Sequence, residues 1–121
     1  MGYYEDTAPT VLVNVMGTVY SIYLDVSKHD DPELEDADGY CDQTVKRIVV
    51  CDSEGTDMGN WEQYKKYCLR HELIHAFLFE SGIAGCTKWD VSGEAHPEHM
   101  IEWIGMQFPK IMEAFQTAGA L

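Results

Sequence analysis

Two histidines four residues apart, His71 and His75, frame a glutamate in the run His71-Glu72-Leu73-Ile74-His75. On a helix, such positions stack one turn above each other on the same face. Both imidazoles can then point at one zinc ion, at about 2.0–2.1 Å per nitrogen. Glu72 lies about 100° around the axis from His71. That puts its carboxylate beside the ion, within reach of a water held there. Zinc lowers the pKa of such a water towards about 7, and a nearby carboxylate can take its proton during attack on a carbonyl. The same group can return the proton to a leaving amine. The expected chemistry is zinc-dependent hydrolysis of a peptide bond, with Glu72 as general base and a peptide or protein as substrate. The plainer reading is a helix with two surface histidines and an ordinary glutamate.

A catalytic zinc needs a third protein ligand and an open corner. Glu94, His96, Glu98, His99 and Glu102 are the candidates downstream. Glu98 and Glu102 stand four apart, so Glu98 can bind the metal while Glu102 accepts a hydrogen bond from a ligating histidine. His96 can donate to the oxyanion of a tetrahedral intermediate, or simply sit at a helix start. His99 is either a ligand or exposed. A second reading makes zinc a clip that ties two helices together in a non-catalytic binding or interaction module. A fourth protein ligand, such as His96 or His99, would close the site and favour it.

The elements that must hold these groups follow from pattern. Residues 10–25 alternate in a two-residue period on either side of Met16-Gly17 and predict a strand pair. Residues 40–52 predict a second pair around Gln43-Thr44-Val45, with Ile48-Val49-Val50 strongly strand-like. Between them, residues 28–39 are acidic and carry a Pro and a Gly. An EF-hand fails there, because Leu34 and Val45 fall at ligand positions. A solvated loop is expected, with Asp31-Pro32 opening one short helical turn.

A long helix should run from an Asn60 cap, backed by Gln63, to a stop at Gly82. A second helix should open at Pro97, with Met100, Ile101, Ile104 and Phe108 on its apolar face. Gly105 can let the two helices approach closely, and Pro109 should break or kink the second one. Trp61 and Trp103 are expected to pack in the core. The fold class is α+β: one domain over residues 1–121, a small, mostly antiparallel sheet packed on the active-site helix and a C-terminal helix.

Composition narrows the partners. The chain has 121 residues and a net charge of -13, from 21 acidic and 8 basic side chains. A surface so negative repels phosphate backbones, so nucleic acid is not an expected partner. No apolar run reaches membrane-spanning length and no signal peptide is visible, so a cytoplasmic protein away from membranes is expected. Cys41, Cys51, Cys68 and Cys86 form no C-x-x-C pair and should be free, buried thiols.

The HELIH run followed by Glu98 and Glu102 resembles the gluzincin metallopeptidases. Small size, strands ahead of the helix and a short linker look most like the ImmA/IrrE-type compact zincins. RHELIHAFLFESG and EHMIEWIGMQFP are also similar to small phage and prophage zincin-like proteins. The resemblance covers the C-terminal half, and the N-terminal strands only by order of elements. It implies that His71, His75 and Glu98 bind the metal, that Glu72 is the base, and that Glu102 is the acidic group behind a ligand. Glu102 is longer than the Asp or Asn found at that place in those proteins. The resemblance further implies that a peptide adds as an extra strand along residues 46–51.

Overall fold

The computed structural model describes residues 2–82 and 98–121. Helix α1 (Tyr3–Asp6) leads into strands β1 (Val11–Val15) and β2 (Thr18–Val26). A 3-10 turn (Pro32–Glu35) precedes β3 (Gly39–Asp42) and β4 (Arg47–Cys51), and the two long helices α2 (Trp61–Glu80) and α3 (Glu98–Thr117) follow. The expected α+β class holds.

Both strand pairs are antiparallel hairpins, β1 with β2 and β3 with β4. Met16 (φ 52°) and Gly17 (φ 96°) both take positive φ, the conformation that matches a two-residue hairpin turn to the twist of its strands. The two hairpins join through a parallel pairing of β2 and β4, giving the order β1-β2-β4-β3. The central strands are therefore covered on both faces. Tyr20, Ile22 and Ile48 pack under α2 with Ala76, whereas Tyr23, Val49 and Leu34 pack on the opposite face. This is why Ile48-Val49-Val50 is continuously apolar rather than alternating.

The order corrects one expectation. The stretch 46–51 is not an edge, because β4 lies between β2 and β3. Among the described residues, the edges are β1 and β3. The resemblance mapped a local hairpin, but the long-range β2–β4 pairing decides which strand is internal.

The acidic segment 28–39 is also less solvated than expected. Leu34 is fully buried and Asp31 is 6% exposed. Tyr4 and Tyr40 both donate phenol hydrogen bonds to Asp31 Oδ2, and Asp31 Oδ1 caps the 3-10 turn through the Glu33 amide. The Arg47 guanidinium lies 4.0 Å over the Tyr4 ring. A carboxylate can stay buried when donors and a nearby cation compensate its lost hydration.

Helix α2 begins as the sequence predicts. Asn60 Oδ1 accepts from the Gln63 amide at 3.1 Å, and Gly82 follows the last turn with φ 80°. Gln63 completes the cap only loosely, meeting the Asn60 side-chain amide at 3.4 Å. Helix α3 is amphipathic, with Ile101 and Gly105 buried, and it runs unbroken through Pro109. Trp61 packs against the second core cluster, but Trp103 is 58% exposed rather than part of the core. Cys51 and Cys68 are buried free thiols and Cys41 is half-buried. Cys86 and Pro97 lie outside the described residues. Among the described residues, no helix is long and apolar enough to cross a membrane.

Candidate metal centre

His71 and His75 project from the middle of α2 towards the first turn of α3. Their ring centroids lie 5.0 Å apart, and each ring is largely buried. Glu98 bridges them: Oε2 lies 3.2 Å from His71 Nε2 and Oε1 lies 3.0 Å from His75 Nε2. One ligand atom from each of the three residues can be chosen so that all lie within 4.8 Å of one another. Tetrahedral ligands at zinc distances would stand about 3.4 Å apart, so small side-chain adjustments would seat an ion. The donor set, two imidazoles and one carboxylate, also suits zinc.

Glu72 sits on the sheet side of this cluster. A Cβ built on Gly39 of β3 would fall 3.6 Å from Glu72 Cγ, so the glutamate stem runs against the edge strand. Burial, and then the charge of Glu98, push the Glu72 carboxyl up to about 7. Burial also pushes the neighbouring Cys41 thiol up to about 12, helped by the Glu72 charge. Cys41, packed against the core cluster under α2, is therefore held as a neutral thiol.

Of the other candidates, His99 and Glu102 are exposed, and neither belongs to the cluster. Among the described residues no hydrogen bond links Glu102 to an imidazole. Its charge is felt instead at the Tyr67 phenol, whose pKa is raised first by burial and then by Glu102. The expected role behind a ligand thus lacks its contact, because the side chain one turn beyond Glu98 faces outward. Glu94 and His96 lie outside the described residues.

Sequence reasoning missed Gly39, Tyr67 and Arg70 as neighbours of the site. The Tyr67 ring centroid is 6.1 Å from that of His71. Arg70 Nε donates to the Gly105 carbonyl at 2.6 Å. Pro109 was the one available signal, since a proline inside a helix frees the carbonyl four residues earlier and implies a substitute donor.

Comparison with protein-family models, with curated proteins and with solved structures gives no match. The reading of this site rests on its own chemistry and geometry.

Proposed function

We propose that this chain is a zinc-dependent peptide hydrolase of the gluzincin kind, akin to the compact ImmA/IrrE-type zincins. The observation that carries the reading is the convergence of His71, His75 and Glu98, three residues of ligand type drawn from two helices. When bound, zinc supplies Lewis acidity towards a carbonyl and acidifies a water. His71, His75 and Glu98 are the residues that would hold the ion, with Glu98 bringing a compensating negative charge. Glu72 is the proton acceptor and later the donor to the leaving amine. It sits beside the ligands without belonging to the cluster, which leaves its carboxylate available for that work.

The substrate is an extended peptide. Among the described residues, strand β3 is the sheet edge beside Glu72, and an edge offers unpaired backbone donors and acceptors to an incoming strand.

The test combines metal analysis with a cleavage assay on an unstructured protein substrate. The purified chain should take up one zinc per molecule and cut the substrate, and Glu72→Gln should keep the zinc but lose the cleavage. Cleavage that survives Glu72→Gln removes Glu72 as base. A closed site in which a fourth side chain completes the coordination would favour the alternative, a non-catalytic zinc-stabilised module.

A further inference from the structure

Helix α3 carries a proline at position 109, where an amide donor is missing from the helical ladder. The carbonyl left without its helical partner is that of Gly105. Arg70 of α2 supplies the donor, Nε to O at 2.6 Å. Gly105 is also buried where α3 packs closely on α2. A Cβ there would meet Tyr67 Cε1 at 3.3 Å and the His71 amide nitrogen at 3.8 Å. Space opens on either side of this crossing. A cavity of about 420 Å³ lies towards Tyr64 and Met106, another of about 240 Å³ lies towards Phe77 and Phe108, and Arg70 lines both. The cross-link thus sits at a narrow junction, one residue before the first histidine of the cluster.

We infer that Arg70 is a positioning residue for the metal centre. Its bond to the carbonyl that Pro109 frees sets the register of α3 on α2, and so delivers Glu98 to His71 and His75. Glu98 stands seven residues, about two turns, before Gly105 on the same helix, so a slip at the junction is passed rigidly to the ligand. A guanidinium suits the task, because its donors are fixed in a plane and stay charged. Ile101 is fully buried on the same helix. Loss of the clamp should therefore misplace α3 rather than detach it.

This inference rests on the proposed zinc site. Zinc affinity is measured by chelator competition for the wild-type chain, Arg70→Gln, Glu98→Gln and the double variant, with melting temperatures taken in chelator as a fold control. Arg70→Gln should weaken zinc binding about 10–100-fold, the range seen when a ligand's supporting contact is lost. In the Glu98→Gln background the same change should have less than a twofold effect, because Arg70 acts through Glu98. Adding Pro109→Ala to Arg70→Gln restores the helical donor but not the link between helices, so affinity should stay low. Should Arg70→Gln alone fail to fold, this pair carries the measurement.

Full recovery of affinity with Pro109→Ala would show that Arg70 merely satisfies a carbonyl, and would overturn the inference. So would zinc binding that depends on Glu98 but ignores Arg70→Gln. Zinc binding indifferent to Glu98→Gln, or none at all, would instead bring down the metal site itself, and the inference with it.

Discussion

Replacing Glu72 with glutamine should make the metal-free protein more stable while destroying the proposed activity. Burial, and secondarily the Glu98 charge, raise the Glu72 carboxyl from 4.5 to about 7. The native state thus holds this proton more tightly than the unfolded chain does. The favourable contribution is complete below pH 4.5, fades as pH rises towards 7, and is gone above it. At about 1.4 kcal/mol per tenfold change, the full cost at pH 8 is about 3 kcal/mol, against about 1 kcal/mol at pH 5. Partial exposure of the side chain trims the difference between the two conditions to about 2 kcal/mol. Glutamine keeps the shape and carries no charge. The assay is urea unfolding in chelator at pH 5 and pH 8, both above the isoelectric point of about 4.5, where solubility is poorest. The stability gained by Glu72→Gln should grow by about 2 kcal/mol between the two conditions. Parallel pH profiles for the two proteins would refute the argument, since they would mean that the Glu72 carboxylate is as well solvated in the fold as in the unfolded chain.

Three further perturbations test the surroundings of the site. Gly39→Ala places a methyl group 2.8 Å from the Val49 carbonyl oxygen, and thermal melts should show a loss of about 1–3 kcal/mol unless β3 can shift outward. Asp31→Asn weakens the acceptor shared by Tyr4 and Tyr40, at a cost of about 1–3 kcal/mol in denaturant titrations. Burial works to raise the Asp31 carboxyl, but the two phenol bonds and the Glu33 amide outweigh it and hold it below its usual range. Wild-type stability should therefore drop as pH falls through that lowered value, and Asp31→Asn should remove this part of the acid sensitivity. Ile101→Ala opens a hole under α3 at a fully buried position and should cost about 2–5 kcal/mol by denaturant unfolding, with a smaller loss signalling that the helix resettles.

What the sequence revealed was whatever depends on nearby residues. The Asn60 cap, the Gly82 stop and the apolar period between them are local signals, and α2 follows them closely. The Met16-Gly17 turn and both hairpins are local in the same sense. The pairing of β2 with β4 is not, because nothing in either strand states its neighbour, and so the wrong strand was expected at the edge. Burial of Asp31 depends on Tyr4, 27 positions earlier, so an acidic run read by itself looks solvated. Pro109 was expected to break or kink α3; the helix runs on through it, and the Gly105 carbonyl that it leaves without a partner accepts from Arg70, 35 residues earlier than that glycine. In the site, helical spacing predicted that His71 and His75 would share a face. Glu98 was one carboxylate among several candidates until α3 was seen to cross α2 with its first turn over the rings.

On the proposed reading, the same arrangement would tie metal binding to stability. Without a cation, Glu72 and Glu98 repel each other beside two imidazoles, which adds to the cost of burying Glu72. A divalent ion on His71, His75 and Glu98 would reverse the sign of that local field and favour the ionised Glu72 needed for proton abstraction. Part of the binding energy would then return as folding energy, because a ligand that binds only the native state stabilises it in proportion to the logarithm of its concentration over Kd. Zinc should accordingly stabilise the wild-type chain more than Glu72→Gln, since only the wild-type chain has a carboxylate whose burial the ion relieves. Equal stabilisation of both would mean that Glu72 does not feel the ion, and a base out of the ion's reach could not serve the proposed reaction.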